Sequence, residues 1–393
     1  NITKKILMII GRAAVVGIAA FLILTSKPAV GPGENRVGFS IRDYLPFGRS
    51  DDTETSTTTT EANNQQNSSN NNLPIIQENK PIPRLRKLSN EPVAGAVIFN
   101  TGTTKAGATS TIRFVEKGTG NVYEAKSDSL SIQRLTNTTI PKIVRAFWLP
   151  NGSGFLAQTI ILENEIVETN FVKLNKNAAS STNESLTPFG TIIGKLPTGI
   201  KEITIKPDGS KIFYYTINGS YSNWFISNPD GTGATQVMTH PLTEWLSKWD
   251  SANTIMMQNK ASSEVVVYNY FFDVSSKILK KAGVNPAGIS PQTNTLPEKC
   301  IQTKDKNPTL YCAVPNQWPS GNYPDVWYKG LVSTEDFIEK IDINNGIFYN
   351  TAGLTSLSGQ KIDAVDISIS PDESHLIFRN KMDGYLWMLR IDE

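Results

Sequence analysis

Three segments of the chain align without gaps: Trp148–Leu156 (WLPNGSGFL), Ile205–Phe213 (IKPDGSKIF) and Ile369–Ile377 (ISPDESHLI). Each reads as a strand, then Pro-Asp/Asn-Gly/Glu-Ser, then two apolar residues that open a second strand. Proline presets φ, Asp or Asn caps the turn, and the next position suits a permissive backbone, so the motif predicts a tight hairpin. Weaker copies occur at Trp249–Met256, Asp305–Tyr311 and Gly107–Arg113. The proline-equivalent positions are then 107, 150, 207, 250, 305 and 371, with a mean spacing of (371 − 107)/5, about 53 residues. A period of that size matches one four-stranded propeller blade, and six copies predict six blades.

A second set of turns follows within the units: Gly118–Tyr123, Asn228–Gly233 and Asp342–Gly346. Closing strands then pair an apolar residue with Thr, as in Gln133-Arg-Leu-Thr136 and Gln236-Val-Met-Thr239. Leu386–Ile391 reads as the third strand of the last unit. Arg86-Lys-Leu-Ser89 matches the closing element, so Arg84–Ser89 is expected to supply that unit's outer strand and close the ring, removing an open sheet edge. A basic linker is the alternative reading of these residues.

Lys206–Ser210, Asn228–Gly233 and Leu135-Thr136 together resemble the TolB-type, WD-like six-bladed propeller repeat. The resemblance covers about residues 84–393. It implies an all-β, six-bladed β-propeller over residues 81–393 and, from the family, a protein-binding platform of the cell envelope. The accessory domain often found in that family has no counterpart here, so the family's specific role does not carry over.

The region before the repeats has another character. Ile6–Leu24 is apolar apart from Arg12 and follows Lys4 and Lys5. This predicts a transmembrane helix over residues 6–24 of a signal anchor spanning 1–30, with the N-terminus cytoplasmic and the rest outside. A cleaved signal peptide is the rival, although Pro32 disfavours the best cleavage site. Both readings export the propeller from the plasma (inner) membrane. Residues 31–50 form a juxtamembrane segment. Residues 51–72, a tract of Ser, Thr, Asn and Gln without a large apolar residue, cannot bury a core, and residues 51–80 are expected to be a disordered linker.

Composition bounds the chemistry. Lys plus Arg exceeds Asp plus Glu by 38 − 36 = 2, which offers no basic field for nucleic acid. The two cysteines, Cys300 and Cys312, predict one local disulfide in an oxidising compartment, with free thiols as the alternative. A bridge there would be worth about 3 kcal/mol on the chain-entropy model. No Gly-x-Ser-x-Gly elbow is present, and His240 and His375 are the only histidines. A serine triad, a metal site or a cofactor loop therefore has little material, and the chain is expected not to be an enzyme. Asp342-Ile-Asn-Asn-Gly346 has a faint calcium-loop look that a hairpin explains.

Trp148, Trp224 and Trp387 fall in repeat strands and are expected in the core, with at least one of Trp245 and Trp249. The fifth unit carries an insertion rich in Pro, Gly and aromatics, Pro315–Tyr328. Its Trp318, Tyr323, Trp327 and Tyr328 are the candidate binding residues for another envelope protein or surface polymer; an ordered loop packed over the blade is the bland account. The alternative function is a channel that binds or processes glycans, with Glu202, Glu244 and Asp366 near expected inner strands. Asn137 and Asn218 lie in glycosylation sequons.

Overall fold

The computed structural model describes residues 81–100, 109–136, 139–161, 166–174, 190–259, 270–281, 295–303, 309–342 and 345–391. All lie in the unit Gln77–Glu393. The expected membrane helix 6–24, the juxtamembrane segment 31–50, the linker 51–80 and Asn137 lie outside the described residues. No helix among the described residues is long and apolar enough to cross a membrane.

The strands form six four-stranded antiparallel sheets. The first blade holds β2 (Val93–Asn100), β3 (Ser110–Glu116), β4 (Val122–Lys126) and β5 (Ile132–Arg134); the second holds β6 (Ile143–Trp148), β7 (Gly154–Ile161), β8 (Ile166–Leu174) and β9 (Gly190–Lys195). The third holds β10 (Ile200–Ile205), β11 (Ile212–Asn218), β12 (Tyr221–Ser227) and β13 (Thr235–His240); the fourth holds β14 (Trp245–Trp249), β15 (Thr254–Asn259), β16 (Tyr270–Asp273) and β17 (Ile278–Lys281). The fifth holds β18 (Cys300–Gln302), β19 (Thr309–Pro315), β20 (Asp336–Asp342) and β21 (Ile347–Gly353). The sixth holds β22 (Ala364–Ile369), β23 (His375–Asn380), β24 (Leu386–Arg390) and β1 (Leu85–Lys87). Short helices occur at Pro297–Lys299 (3-10), α1 (Asp325–Tyr328) and α2 (Leu354–Ser358).

β1 pairs with β24 in the register Leu85↔Leu389, Arg86↔Met388, Lys87↔Trp387, so the ring closes as the repeat required. Leu85 and Leu88 are buried. Ser89 Oγ accepts the Leu386 N–H at 2.9 Å. Arg86 reaches the first blade, donating to the Ser129 and Lys126 carbonyls at 2.5 Å each.

The core lies between blades. Phe213, Tyr215 and Trp224 of the third pack on Trp245, Trp249, Ile255, Met257 and Phe272 of the fourth. Both Trp245 and Trp249 are buried, as are Trp148, Trp224 and Trp387. Inner strands are apolar because neighbouring blades cover both faces, whereas the outer strand β9 leaves Ile192 and Ile193 exposed.

The expected hairpins at 150, 207, 250 and 371 join the first strand of a blade to its second; those at 107 and 305 lie outside the described residues. In the three copies that align without gaps the shared chemistry is a hydrogen bond from the residue two positions on to the Asp or Asn side chain. Asp208 accepts the Ser210 N–H at 2.9 Å and the Ser210 hydroxyl at 2.6 Å. Asn151 does the same with Ser153, and Asp372 with Ser374. The residue between is left-handed in each turn, Gly152 at φ 67°, Gly209 at 76° and Glu373 at 58°. The second set of turns divides. Asn228–Gly233 and Asp342–Gly346 join third strands to fourth, but Gly118–Tyr123 joins β3 to β4 and so sits at the opposite end of its blade. Gly, Thr and Asn mark a turn without saying which hairpin it closes.

These turns set an acid response. Lys206 and Ser210 hold the Asp208 carboxyl well below its ordinary range, and Thr232 lowers that of Asp230. A folded value below the unfolded one contributes stability above the unfolded pKa and loses it as pH falls toward the folded value. The Tm is expected to fall between pH about 5 and about 2.5, and to fall less steeply in Asp208→Asn/Asp230→Asn. Equal slopes in thermal melts would remove these turns from the acid response.

Cys300 and Cys312 form a disulfide between facing positions of β18 and β19. Asp342–Gly346 closes as a hairpin with the Asn345 N–H on Asp342 Oδ1.

Candidate functional site

At the end of the ring where the inner strands begin, the blades leave a cavity of about 680 Å³. Three inner strands enter it through breaks in register: β6 between Ile143 and Arg145, β10 between Ile200 and Glu202, and β22 between Val365 and Ser368. Such bulges re-aim side chains, and Arg145, Lys201, Glu202 and Asp366 at these places all line the cavity. Asp366 has φ 56° inside a strand, a left-handed conformation that costs an aspartate about 1–2 kcal/mol. Arg379 donates to its Oδ2 from Nε at 2.9 Å and from Nη2 at 2.6 Å.

Arg145 is an accessible cation of the mouth. Its Nη1 lies 3.1 Å from Glu202 Oε2; the Arg145 side chain is 45% exposed and that of Glu202 10%. The guanidinium lies 4.5 Å from the Phe147 ring centroid, which fixes its plane. Burial alone would lower the Arg145 pKa, but the carboxylates of Glu202, Asp366 and Glu298 outweigh it and hold it above the ordinary value. Tyr215 donates to the Thr243 carbonyl at 2.7 Å and accepts the Trp245 N–H at 3.2 Å. Burial, with Glu202 and Glu244 adding to it, pushes the Tyr215 hydroxyl up to about 12, so it stays protonated.

The fifth-blade insertion builds the facing wall. It leaves β19 at Pro315 and returns at Asp336, the last pair of that ladder. Trp327 and Tyr328, on α1, line the cavity with Asp325 and Lys329. Tyr328 donates to Glu298 Oε2 at 3.2 Å. Trp318 and Tyr323 do not reach the cavity; their rings meet edge to face at 4.5 Å and pack against the cluster of Leu296, Trp327 and Val365. Of the four expected binding residues, two line the mouth and two support it.

Beneath Trp327 lies a buried ionic network. Lys299 Nζ is 2.6 Å from Asp336 Oδ2 and 2.6 Å from Asp363 Oδ1, with all three side chains at 0% exposure. Its third bond goes to Thr334 Oγ1 at 3.0 Å. Asp363 Oδ2 accepts the Trp327 indole N–H and the Thr334 N–H, both at 3.0 Å. Lys381 lies 3.9 Å from the same oxygen and 4.6 Å from the Trp327 ring centroid. Two lysines thus balance two carboxylates, and the insertion is tied through its tryptophan to the sixth blade. Burial raises the Asp336 pKa, against the pull of Lys299.

Glu202, Glu244 and Asp366, noted in the sequence for their place near inner strands, do meet in one cavity. Arg145, Tyr215, Glu298, Arg379 and Lys381 were missed. Their only local signal is a polar residue at the start of an inner strand, or on the strand beside it. Five cations and five carboxylates line the cavity, so its formal charge is 5 − 5 = 0. Among the described residues no group of His, Cys, Asp and Glu has the arrangement of a metal site.

No protein family model matches the chain, and no curated protein matches it in sequence. Solved structures do. TolB from Acinetobacter baumannii shares 8% identity, covers 76% of this chain and 80% of its own, and gives a TM-score of 0.42. An oligogalacturonate lyase in complex with manganese shares 11% over 72% of this chain and 86% of its own, at 0.41. A puromycin-hydrolyzing peptidase of Mycobacterium tuberculosis shares 8% over 74% of this chain and 42% of its own, at 0.39. The six four-stranded sheets are the propeller fold that the TolB-type resemblance implied. The expectation that the chain is not an enzyme is corrected by the same comparison. Propellers similar to it include a lyase and a peptidase, and a fold of this kind does not decide whether a chain is catalytic.

Proposed function

We propose that the chain is a membrane-tethered, extracytoplasmic propeller that binds a component of the cell envelope at the mouth of its central channel. The observation that carries this reading is the cavity itself, a charge-balanced concave site with an aromatic wall and bulged strands that aim Arg145, Glu202 and Asp366 at it. The apolar stretch 6–24 and the Cys300–Cys312 bridge support export. Neutral formal charge disfavours polyanions and polycations alike. A photo-crosslinking residue placed at Lys329, on the rim, is expected to capture a specific envelope component in cells. The same residue at Asn151, in the exposed β6–β7 hairpin at the other end, is expected to capture none. Equal capture from both positions, or none from Lys329, would reject the mouth as the binding face.

A second reading is a glycan-processing channel, favoured by the three carboxylates Glu202, Glu244 and Asp366 in one cavity. Arginines engage two of them, Glu202 and Asp366, whereas a general acid must hold its proton. Release of reducing ends from a polysaccharide panel, abolished by Glu202→Gln, would select this reading.

A further inference from the structure

Resting on the mouth as the binding site, we infer that Lys381 is its reactive amine and that the ligand it captures is an uncharged aldehyde, held as an imine. The five cations that line the cavity differ in their surroundings. Arg145 and Arg379 are engaged by Glu202 and Asp366, and Lys329 pairs with Asp325 at 3.1 Å across one helical turn. Lys201 is exposed. Lys381 is set into the wall. Its side chain is 20% exposed, its Nζ donates to the Val332 carbonyl at 3.1 Å, and it stands 4.6 Å from the Trp327 ring centroid. Its main-chain N–H donates to the Asp363 carbonyl at 2.8 Å, which fixes where the side chain starts.

The carboxylate beside it is already in use. Asp363 holds Lys299 at 2.6 Å through Oδ1, and its Oδ2 accepts the Trp327 and Thr334 N–H groups. Lys381 lies 3.9 Å from that oxygen, beyond hydrogen-bond reach. The Trp327 ring attracts a cation, but Lys299 shares it at 5.4 Å from the same centroid. A second lysine on one carboxylate and partial withdrawal from water both favour the free amine. Burial, with Lys299 and Arg379 adding to it against Asp363, lowers the Lys381 pKa accordingly. A free amine at the wall of a cavity of about 680 Å³ is a nucleophile, and the zero formal charge of that cavity suits an uncharged electrophile. In the step, the amine nitrogen bonds to the carbonyl carbon. Both amine protons leave with the carbonyl oxygen as water, and a C=N bond remains. No oxidant or reductant takes part, and hydrolysis reverses it.

The test incubates the full-length chain in detergent micelles with glyceraldehyde and cyanoborohydride, which reduces an imine to a stable secondary amine. Peptide mass spectrometry then reads which lysines carry the label. Accessibility alone would label the exposed Lys201 and Lys329 first. Lys381 is instead expected to react several-fold faster than either, to reach its full rate at a lower pH than they do, and to lose its lead in urea. Lys381→Arg, which keeps the cation, should remove this label without passing it to the fully buried Lys299. A parallel incubation with cellotriose separates the sources. Trapping of cellotriose would point to the reducing end of a sugar, and trapping of glyceraldehyde alone to a small aldehyde; either supports the inference. Lys381 reacting no faster than Lys201, reaching full rate at the same pH, or keeping its lead in urea would overturn it. Should Lys381→Arg fail to fold, the rates and pH profile of the parent decide alone. Continued capture from Lys329 beside an unreactive Lys381 would reject the amine and leave the binding face standing.

Discussion

Lys299→Met is expected to destabilise the propeller by about 3–5 kcal/mol at neutral pH, the loss measured when one partner of a buried ion pair is removed. Its ammonium lies 2.6 Å from both Asp336 and Asp363, and all three side chains are at 0% exposure. Methionine of similar length leaves two buried carboxylates with one remaining lysine, Lys381, which lies 3.9 Å from Asp363 and leaves Asp336 without a counter-charge. One of them must then take up a proton to fold. A folded pKa raised above the unfolded value contributes stability at low pH and loses it as pH rises. The deficit against the parent should therefore shrink on acidification, and adding Asp336→Asn should recover part of it. Urea denaturation across pH checks both. Trp327 adds a local readout, because its indole N–H is bonded to Asp363; its emission should shift in the variant before global unfolding. A deficit that stays constant with pH would mean that lost packing, not stranded charge, explains the change.

Deleting residues 81–90 is expected to lower the Tm by more than about 10 °C and to cause aggregation on heating. The segment contributes β1, buries Leu85 and Leu88, and carries the Arg86 bonds to the first blade. Without it β24 becomes an open edge, and four of that strand's five residues are buried in the closed ring. Leu88→Ala alone should account for about 2–5 kcal/mol, the range for truncating a buried leucine. Thermal melts and light scattering check these values; an unchanged Tm would mean the ring does not depend on its closing strand.

The fold was legible wherever its signal was local. Each Pro-Asp/Asn-x-Ser turn carries its own cap and its own left-handed position, so a hairpin can be read from a few adjacent residues, and six hairpins at a regular period define the ring. The closing strand was legible because Arg86–Ser89 repeats the blade-ending pattern. Gly118–Tyr123 went to the wrong hairpin because turn residues do not record strand order. The site was half legible. Glu202, Glu244 and Asp366 could be placed near inner strands, and Trp327 and Tyr328 in an aromatic insertion. That these meet follows from bulges in β6, β10 and β22, which no residue type announces. The Lys299–Asp336–Asp363 network joins positions 37 and 64 residues apart from Lys299, and nothing around Lys299 distinguishes it from a solvated lysine.

The pairing of β1 with β24 also fixes an order of events. Leu85 meets Leu389, so the earliest of the described strands to leave the ribosome waits for the latest of them. Blades one to five can each zip from hairpins made within their own stretch of chain. The sixth must hold β1 unpaired until its other three strands, β22 to β24, have been made at the far end of the described chain. Closing so long a loop adds little entropy beyond that of a shorter one, since the penalty grows only with the logarithm of length. The burden is one of timing. Until residue 389 is available, Leu85 and Leu88 have no place to pack, and an incomplete chain presents both a loose apolar segment and an unfinished sheet to whatever assists its folding.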